Sequence, residues 1–257
     1  MRKQALLNTY VNNLNMEEAV GWIFARMQED SPAYVVEVNV DVAIKMEKDP
    51  YLRTIADAAH LTLVDGMPLV WISRLYGRPV KGKISGSDLA PALIEEAWRR
   101  GRSVFILGGM EETAKKAGKH LKKKYPGLLL SGTYSPPMGF ERDPAELEKI
   151  NAIIKKAAPD LLLACFGCPK QEKWTYENYG ESGAKVTLCA GATVDFLAGN
   201  VKRAPKWVSD IGFEWFYRFL KEPGRLFWRY FVDDIAIVRL IWKYRPGRQR
   251  MDGERIG

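Results

Sequence analysis

Leu61-Thr-Leu-Val-Asp-Gly-Met-Pro-Leu-Val-Trp71 is the stretch from which the architecture of this chain can be worked out. Residues 61–64 predict a short buried strand, and Gly66 and Pro68 interrupt the apolar run before a helix begins. Asp65 is therefore expected at the carboxyl end of a strand, the edge at which open α/β sheets bind their ligands. A carboxylate at such a turn either caps the next helix or belongs to a site, and residues 61–71 alone leave both interpretations open.

Asn39 follows an earlier strand in the same manner. The run Tyr34-Val-Val-Glu-Val38 predicts a buried strand, and Asn39 comes directly after it. Further apolar runs at 103–109, 161–166 and 185–189 predict strands that alternate with helices, and residues 125–134 predict a Pro-Gly turn followed by a further short strand. This alternation is typical of an α/β fold in which helices cover both faces of a parallel sheet. Asn39 and Asp65 would then face one cleft.

The composition is that of a globular protein with a basic end. Of the 257 residues, 47% are hydrophobic and 27% charged, which excludes a disordered chain and fits one large domain or a domain with an appendage. The formal net charge is +8, and residues 202–250 carry twelve Lys and Arg against five Asp and Glu. Twelve aromatic residues lie within 205–245, interleaved with arginines. This mixture is typical of helices on an anionic membrane surface, with structural packing and nucleic-acid binding as alternatives.

The sequence favours a cytoplasmic protein with reduced cysteines. Arg2 and Lys3 are not followed by the apolar segment of a signal peptide, and no run reaches the roughly 18 apolar residues of a membrane span. Cys165, Cys168 and Cys189 fit a reducing compartment better than a disulfide framework. Cys165 and Cys168 have the spacing of a metal or redox pair, but too few further Cys and His residues accompany them. We therefore predict buried thiols and no metal centre.

Gly108 and Gly109 form half of a nucleotide-binding pattern. They end the strand predicted at 103–109, and two glycines would let the backbone approach a phosphate at the start of the helix predicted over 111–124. The G-x-G-x-x-G spacing is absent, and so is a P-loop. An ordinary tight turn between strand and helix explains the two glycines at least as well.

Several motifs together resemble the WecG/TagA/CpsF family of glycosyltransferases. They follow the family's order and spacing over nearly the whole chain: Asn39, Asp65-Gly66, Gly86-Ser-Asp88, Phe105-Ile-Leu-Gly-Gly109, Gly167-Cys-Pro-Lys-Gln-Glu172, Gly191 to Asp195, Ala198-Gly199, Arg203-Ala-Pro205 and Glu214-Trp215. Each motif is weak singly, but the set is specific. The resemblance implies a Rossmann-like core over residues 1–200 and a helical, basic and aromatic appendage over 201–257 that associates with the membrane.

The resemblance also implies an activity and its partners. It implies an inverting transfer of a sugar, N-acetylmannosamine in the first place, from a UDP-sugar donor to N-acetylglucosamine on undecaprenyl diphosphate, in cell-wall or surface-polysaccharide synthesis. Other members use other donors, such as UDP-glucose. The implied location is the inner face of the cell membrane, bound peripherally to its anionic surface. No cofactor and no nucleic acid are implied, and a homo-oligomer is compatible with the sequence.

Matching positions carry the family's roles to residues of this chain. Asp65 matches the proposed general base and Asn39 a polar active-site residue. Gln171 matches a residue near the nucleotide sugar. Three arginines match as well, and with Gly108 and Gly109 they are expected to bind the donor's diphosphate: Arg203, Arg218 and Arg225. Because the chain has no D-x-D metal motif, these cations and the backbone at the helix start would replace a divalent ion.

Glu37 departs from the family pattern, which commonly has Thr two residues before the Asn. An additional carboxylate would repel a diphosphate unless it bonds to sugar hydroxyls or points away from the site. Glu37 is therefore a candidate determinant of donor specificity. Two rival functions use other features: a non-catalytic nucleic-acid-binding module would use the basic tail, and a nicotinamide-dependent enzyme would use the turn at Gly108 and Gly109.

Overall fold

The structure, a computed structural model, describes residues 3–201 and 236–246. A hairpin opens the chain, in which β1 (Lys3–Leu6) pairs antiparallel with β2 (Thr9–Asn12). Six further strands follow: β3 (Ala33–Val38), β4 (Leu61–Val64), β5 (Val104–Gly108), β6 (Leu130–Tyr134), β7 (Leu161–Cys165) and β8 (Val186–Cys189). The sequence analysis predicted these six and missed the hairpin.

Ten α-helices lie within the described residues, together with a short 3-10 helix at Phe140–Arg142. The α-helices are α1 (Met16–Arg26), α2 (Val40–Lys48), α3 (Pro50–Ala58), α4 (Met67–Leu75), α5 (Gly86–Arg99), α6 (Thr113–Lys124), α7 (Pro144–Ala157), α8 (Lys170–Asn178), α9 (Thr193–Leu197) and α10 (Ala236–Lys243). Local chemistry fixes several of their starts. Asn15 and Glu18 form a capping box on α1, and Asp49 caps α3, which has Pro50 in its first turn.

The six strands form one parallel sheet in the order β4-β3-β8-β7-β5-β6. Alternate residues of each strand point to opposite faces, so that Val35 packs with α1 and α5 while Val36 packs with α2, α3 and α4. A third cluster lies between β5, β7, α7 and α8. The predicted α/β fold with helices on both faces is confirmed.

The strand order brings the two predicted site positions together. β3 and β4 are neighbours, and Val38 is paired with Val64 at the end of the ladder. The next residues are Asn39 and Asp65, which therefore leave the sheet side by side. Most of the predicted appendage, with Arg203, Arg218 and Arg225, lies outside the described residues, while α10 packs against α2 and buries Leu240.

Candidate active site

A cavity of about 560 Å³ opens at the carboxyl edge of the sheet. The segments that follow β3, β4, β7 and β8 form its walls, together with the loop before α5. The last described helix also reaches it, through Ile237. Its polar and charged side chains are Glu37, Asn39, Asp41, Lys45, Asp65, Lys83, Ser85, Ser87, Gln171, Glu172 and Thr193.

Asn39 connects a helix cap to Asp65. Its Oδ1 accepts a hydrogen bond from the backbone N–H of Val42 at 3.0 Å, which caps α2. Its Nδ2 donates to Oδ2 of Asp65 at 3.2 Å. The backbone N–H of Asp65 donates to the carbonyl of Val38 at 2.8 Å. Helix α4 has Gly66 rather than Asp65 at its N-cap, so the side chain of Asp65 is held at the cavity without capping that helix.

Glu37 lies on β3 below this pair, with its side chain on the α5 side of the sheet. The side chain lies against Gly86, where a Cβ would come within 2.5 Å of its Oε2. Its Oε1 is buried and has no hydrogen-bond partner among the described residues. Burial raises the pKa of the Glu37 carboxyl well above its usual value, and the negative charge of Asp65 raises it further. The backbone N–H of Gly86 counteracts part of this rise.

Gln171 ties together the turns after β7 and β8. Its Oε1 accepts from the backbone N–H of Gly167 at 3.2 Å and from that of Gly191 at 2.9 Å. Its Nε2 donates to Oε1 of Glu172 at 2.8 Å. Glu172 is itself 2% exposed, and burial raises the pKa of its carboxyl, while the hydrogen bond from Gln171 opposes the rise. Gln171 therefore fixes the shape of the cavity floor.

Charge in the cavity is predominantly acidic. Among the described residues, four carboxyl groups line it, against the two lysines Lys45 and Lys83. Lys45 donates to Oδ2 of Asp41 at 2.9 Å and to the carbonyl of Cys168 at 3.1 Å. Carboxyl groups accept hydrogen bonds from sugar hydroxyls, whereas they repel phosphate oxygens. The walls therefore suit a hydroxyl-rich, uncharged group.

A second cavity of about 630 Å³ lies beside the first, at the ends of β5, β6 and β7. The two cavities share Gly167, Gly191 and Ala192, so the turns that Gln171 holds form the boundary between them. Lys170, at the start of α8, also lines the second cavity. A ligand that extends across the boundary would contact both cavities.

Gly108 and Gly109 lie at this second cavity, which Gly109 lines. Both have positive φ, and a Cβ on Gly108 would come within 2.4 Å of the carbonyl oxygen of Cys165. The backbone N–H of Gly109 donates to that same carbonyl at 3.1 Å. The helix predicted from 111 begins at Thr113 instead. Close packing against β7 thus explains Gly108, and close packing against Thr113 at the start of α6 explains Gly109. Their role toward a phosphate stays a prediction.

The three cysteines are free thiols. Cys165 lies at the end of β7, inside the sheet as predicted, and burial raises its pKa to about 12. Burial also raises the pKa of Cys168 and Cys189. Thiols with such pKa values are poor nucleophiles because the thiolate is scarce. The described residues contain no cluster of His, Cys, Asp and Glu that could hold a metal ion.

The structure adds residues to the candidate site that sequence reasoning had not assigned. Lys45, Glu172 and Thr193 line the cavity, as do Ser85, the N-cap residue of α5, and Ser87 in its first turn. Ser87, Glu172 and Thr193 lie within motifs of the family resemblance that were given no individual role, and Lys45 and Ser85 lie outside those motifs. None of the helices in the described ranges is long and apolar enough to cross a membrane.

Comparison with known proteins gives consistent matches. The model of the glycosyl transferase WecG/TagA/CpsF family matches residues 4–251. The N-acetylglucosaminyldiphosphoundecaprenol N-acetyl-beta-D-mannosaminyltransferase of Bacillus spizizenii strain W23 is 28% identical over 219 residues, 85% of this chain and 82% of that protein. The protein of the same name from Bacillus subtilis strain 168 is 28% identical over 227 residues, 88% of this chain and 86% of that protein.

Proposed function

The chain belongs to the WecG/TagA/CpsF family of glycosyl transferases, and we propose that it transfers N-acetylmannosamine from a UDP-sugar to N-acetylglucosamine on undecaprenyl diphosphate. The names of the two Bacillus relatives support the transferred sugar and the lipid-linked acceptor. The observation that carries the proposal for this chain is the pair of Asn39 and Asp65, held at 3.2 Å in an acid-lined cavity. Use of another donor, such as UDP-glucose, is the alternative within the family, and Glu37 is the residue that favours it.

Asp65 is the proposed general base. Its carboxylate takes the proton from the attacking hydroxyl of the acceptor sugar as that oxygen forms a bond to the anomeric carbon of the donor. The bond from that carbon to the diphosphate breaks in the same step, and UDP leaves with the electron pair. One displacement of this kind turns an α-linked donor into a β-linked product without a protein nucleophile. Asn39 orients the base by donating to Oδ2.

The two cavities suggest how a UDP-sugar would lie. We place the sugar in the acid-lined first cavity, since its hydroxyls can donate to the carboxyl groups there. The nucleoside would occupy the second cavity, and the diphosphate would cross the boundary near Lys170 and the N-terminus of α8. The ammonium group of Lys170 is paired with Oε1 of Glu141 at 2.6 Å, so a diphosphate would compete with that carboxylate for it. Arg203, Arg218 and Arg225 remain the proposed cations for the leaving group, in a reaction that needs no metal ion.

An apolar surface beside the cavity supports peripheral binding to a membrane. Trp71 and Leu75 are exposed one turn apart on α4, and Val238 and Trp242 are exposed one turn apart on α10. The hydroxyl of Tyr76, directly after α4, donates to the carbonyl of Ile241 in α10 at 2.8 Å, which joins the two helices. Exposed Trp and Leu at helical spacing are typical of an interfacial surface. A protein bound in this way would meet the lipid-linked acceptor at its headgroup.

Transfer assays test this proposal directly. Purified protein is incubated with UDP-N-acetylmannosamine, UDP-N-acetylglucosamine or UDP-glucose and a short-chain lipid diphosphate carrying N-acetylglucosamine, and products are read by mass. We expect transfer of N-acetylmannosamine, and we expect Asp65→Asn to lower kcat by about 10²- to 10⁴-fold with donor binding retained. Exclusive use of another donor would overturn the proposed sugar. Activity of Asp65→Asn within about tenfold of the parent would remove Asp65 as the base.

A further inference from the structure

Glu37 is the acid whose position in the cavity is hardest to reconcile with a negative charge. It lies one residue before the end of β3, beneath Asn39 and Asp65, and it lines the cavity. One carboxyl oxygen, Oε1, is buried with no partner in the described part of the chain, and the other lies against the backbone of Gly86. The residue as a whole is partly exposed, but a carboxylate with one buried and unpaired oxygen still carries a desolvation cost, which the neutral acid avoids.

Within the described part of the chain, the charged groups that shift the pKa of Glu37 are also acidic. They approach from three directions: Asp65 at the end of β4, Glu172 on α8 and Asp88 on α5. The backbone N–H of Gly86 is the favourable neighbour, and the buried thiols of Cys165 and Cys189 carry no charge that would help. Burial first, and these charges second, keep the pKa of Glu37 well above its ordinary value. Glu37 is thus the member of the cavity's acids best suited to hold a proton while Asp65 is ionised.

We propose that Glu37 is a sugar-contacting residue that acts as a neutral carboxylic acid and donates a hydrogen bond to an acceptor oxygen of the transferred sugar. The inference rests on the proposed function and adds a hydrogen bond by which the cavity would recognise the transferred sugar. A carboxylate offers acceptors alone, whereas a protonated carboxyl group offers one donor and remaining acceptor capacity. The neutral form also removes the repulsion that a second negative charge would exert on the donor's diphosphate.

Matched variants separate this role from that of a carboxylate. Glu37→Gln keeps the length of the side chain and a permanent donor, while Glu37→Met keeps the size and removes the donor. We expect Glu37→Met to lower kcat/KM for the donor sugar by about 5- to 100-fold, the effect of one lost hydrogen bond to a buried polar group. We expect Glu37→Gln to recover most of that loss. The surface variant Glu95→Gln serves as a control for the same substitution on an exposed helix position.

The dependence of transfer activity on pH is the decisive measurement. Activity of the parent should fall on the alkaline side as Glu37 loses its proton, and Glu37→Gln should lack that limb because an amide does not titrate. The proposal is overturned if Glu37→Gln is as impaired as Glu37→Met and the parent shows no limb that depends on Glu37. The Glu37→Gln profile suffices even if Glu37→Met does not fold.

Failure of this inference can be told apart from failure of the proposed function. If Asp65→Asn remains active, the assignment of the base is wrong, and the comparison of the Glu37 variants can still be made. If Asp65→Asn is inactive and the Glu37 variants behave alike, the assignment of Asp65 as the base is supported and the proposed role of Glu37 as a neutral acid is wrong. A parent protein that transfers no sugar from any of the donors removes both.

Discussion

The side-chain amide of Asn39 makes two hydrogen bonds with different consequences: Oδ1 caps α2 through Val42, and Nδ2 donates to Asp65 at 3.2 Å. The hydrogen bond from Asn39 therefore links the proposed base, which follows β4, to the start of α2, which follows the neighbouring strand β3. The stability of the protein should depend on Oδ1 of Asn39, and its activity should depend on Nδ2. The two effects can be separated by substitution.

Asn39→Ser should retain the cap and lose the contact with Asp65. A serine hydroxyl caps helices about as well as an asparagine side chain but is too short to reach the carboxylate as well. We expect its free energy of unfolding to stay within a few tenths of a kcal/mol of the parent, with kcat lower by about tenfold for one lost hydrogen bond. Asn39→Ala should lose both, including about 1 kcal/mol of stability in urea denaturation. Full activity of Asn39→Ser would show that the contact with Asp65 is dispensable.

Gln171 should be needed for stability as well as for activity. Gln171→Ala would leave the backbone N–H groups of Gly167 and Gly191 without the acceptor that they share. Two unsatisfied donors cost about 1–3 kcal/mol each, reduced where water can enter the space left behind. We expect a loss of about 2 kcal/mol or more in urea denaturation, together with weaker donor binding in calorimetry. Gln28→Ala, at an exposed position, is the matched control and should change neither quantity.

A side chain at Gly86 should displace the carboxyl group of Glu37. A Cβ there would come within 2.5 Å of Oε2 and 3.1 Å of Cδ of Glu37. Overpacking typically costs about 1–3 kcal/mol, and because the end of the Glu37 side chain can shift toward the cavity, we expect Gly86→Ala to be destabilised by an amount near the lower end of that range. In a Glu37→Ala background the clashing atoms are gone, and the same substitution should cost less. Gly82→Ala, in the loop just before α5 and with no atom within 4 Å of its Cβ, should be neutral. Additive effects of Gly86→Ala and Glu37→Ala would contradict the contact.

The sheet and the positions of Asn39 and Asp65 could be predicted from the sequence, but most of the residues that line the cavity around them could not. Asn39 and Asp65 could be foreseen because each follows a short apolar run, and strand ends in a parallel sheet share an edge. The hairpin at 3–12 was missed because its turn, at Leu7 and Asn8, contains no Gly or Pro and places Leu7 at a positive φ of 52°.

The burial of Glu172 could not be read from the sequence for a different reason. The segment from Lys170 to Glu172 looks like the polar first turn of a surface helix. Which face of α8 is covered depends on the order of β3, β8 and β7 in the sheet, and a linear pattern does not contain that order. The need for glycine at position 86 depends in the same way on Glu37, which is distant along the chain and adjacent in space.

The pH dependence of stability should reveal the buried state of Glu172. Its pKa is raised in the folded protein, so the folded state holds this proton more tightly than the unfolded state. The stabilisation is therefore complete below the ordinary pKa of about 4.5 and is lost as the pH rises through the raised value. Glu172→Gln has no proton to lose, and the nitrogen of Gln171 can still donate to its carbonyl oxygen. We expect this variant to gain stability relative to the parent between pH 5 and pH 8, measured by urea denaturation. A difference that stays constant with pH would contradict the raised pKa.

Leu75 offers the sharpest test of the proposed membrane surface, because it is 71% exposed on α4 beside the α10 contact. Leu75→Glu replaces an apolar side chain with a charge that anionic lipid repels, while an exposed helix position tolerates it at little cost in stability. Leu129 is a matched control: it is 52% exposed but lies just before β6, at the opposite edge of the sheet from the cavity. In sedimentation with vesicles containing phosphatidylglycerol, Leu75→Glu should bind several-fold more weakly than the parent, and Leu129→Glu should bind as the parent does. Equal binding by both variants would place the contact with the membrane elsewhere on the chain.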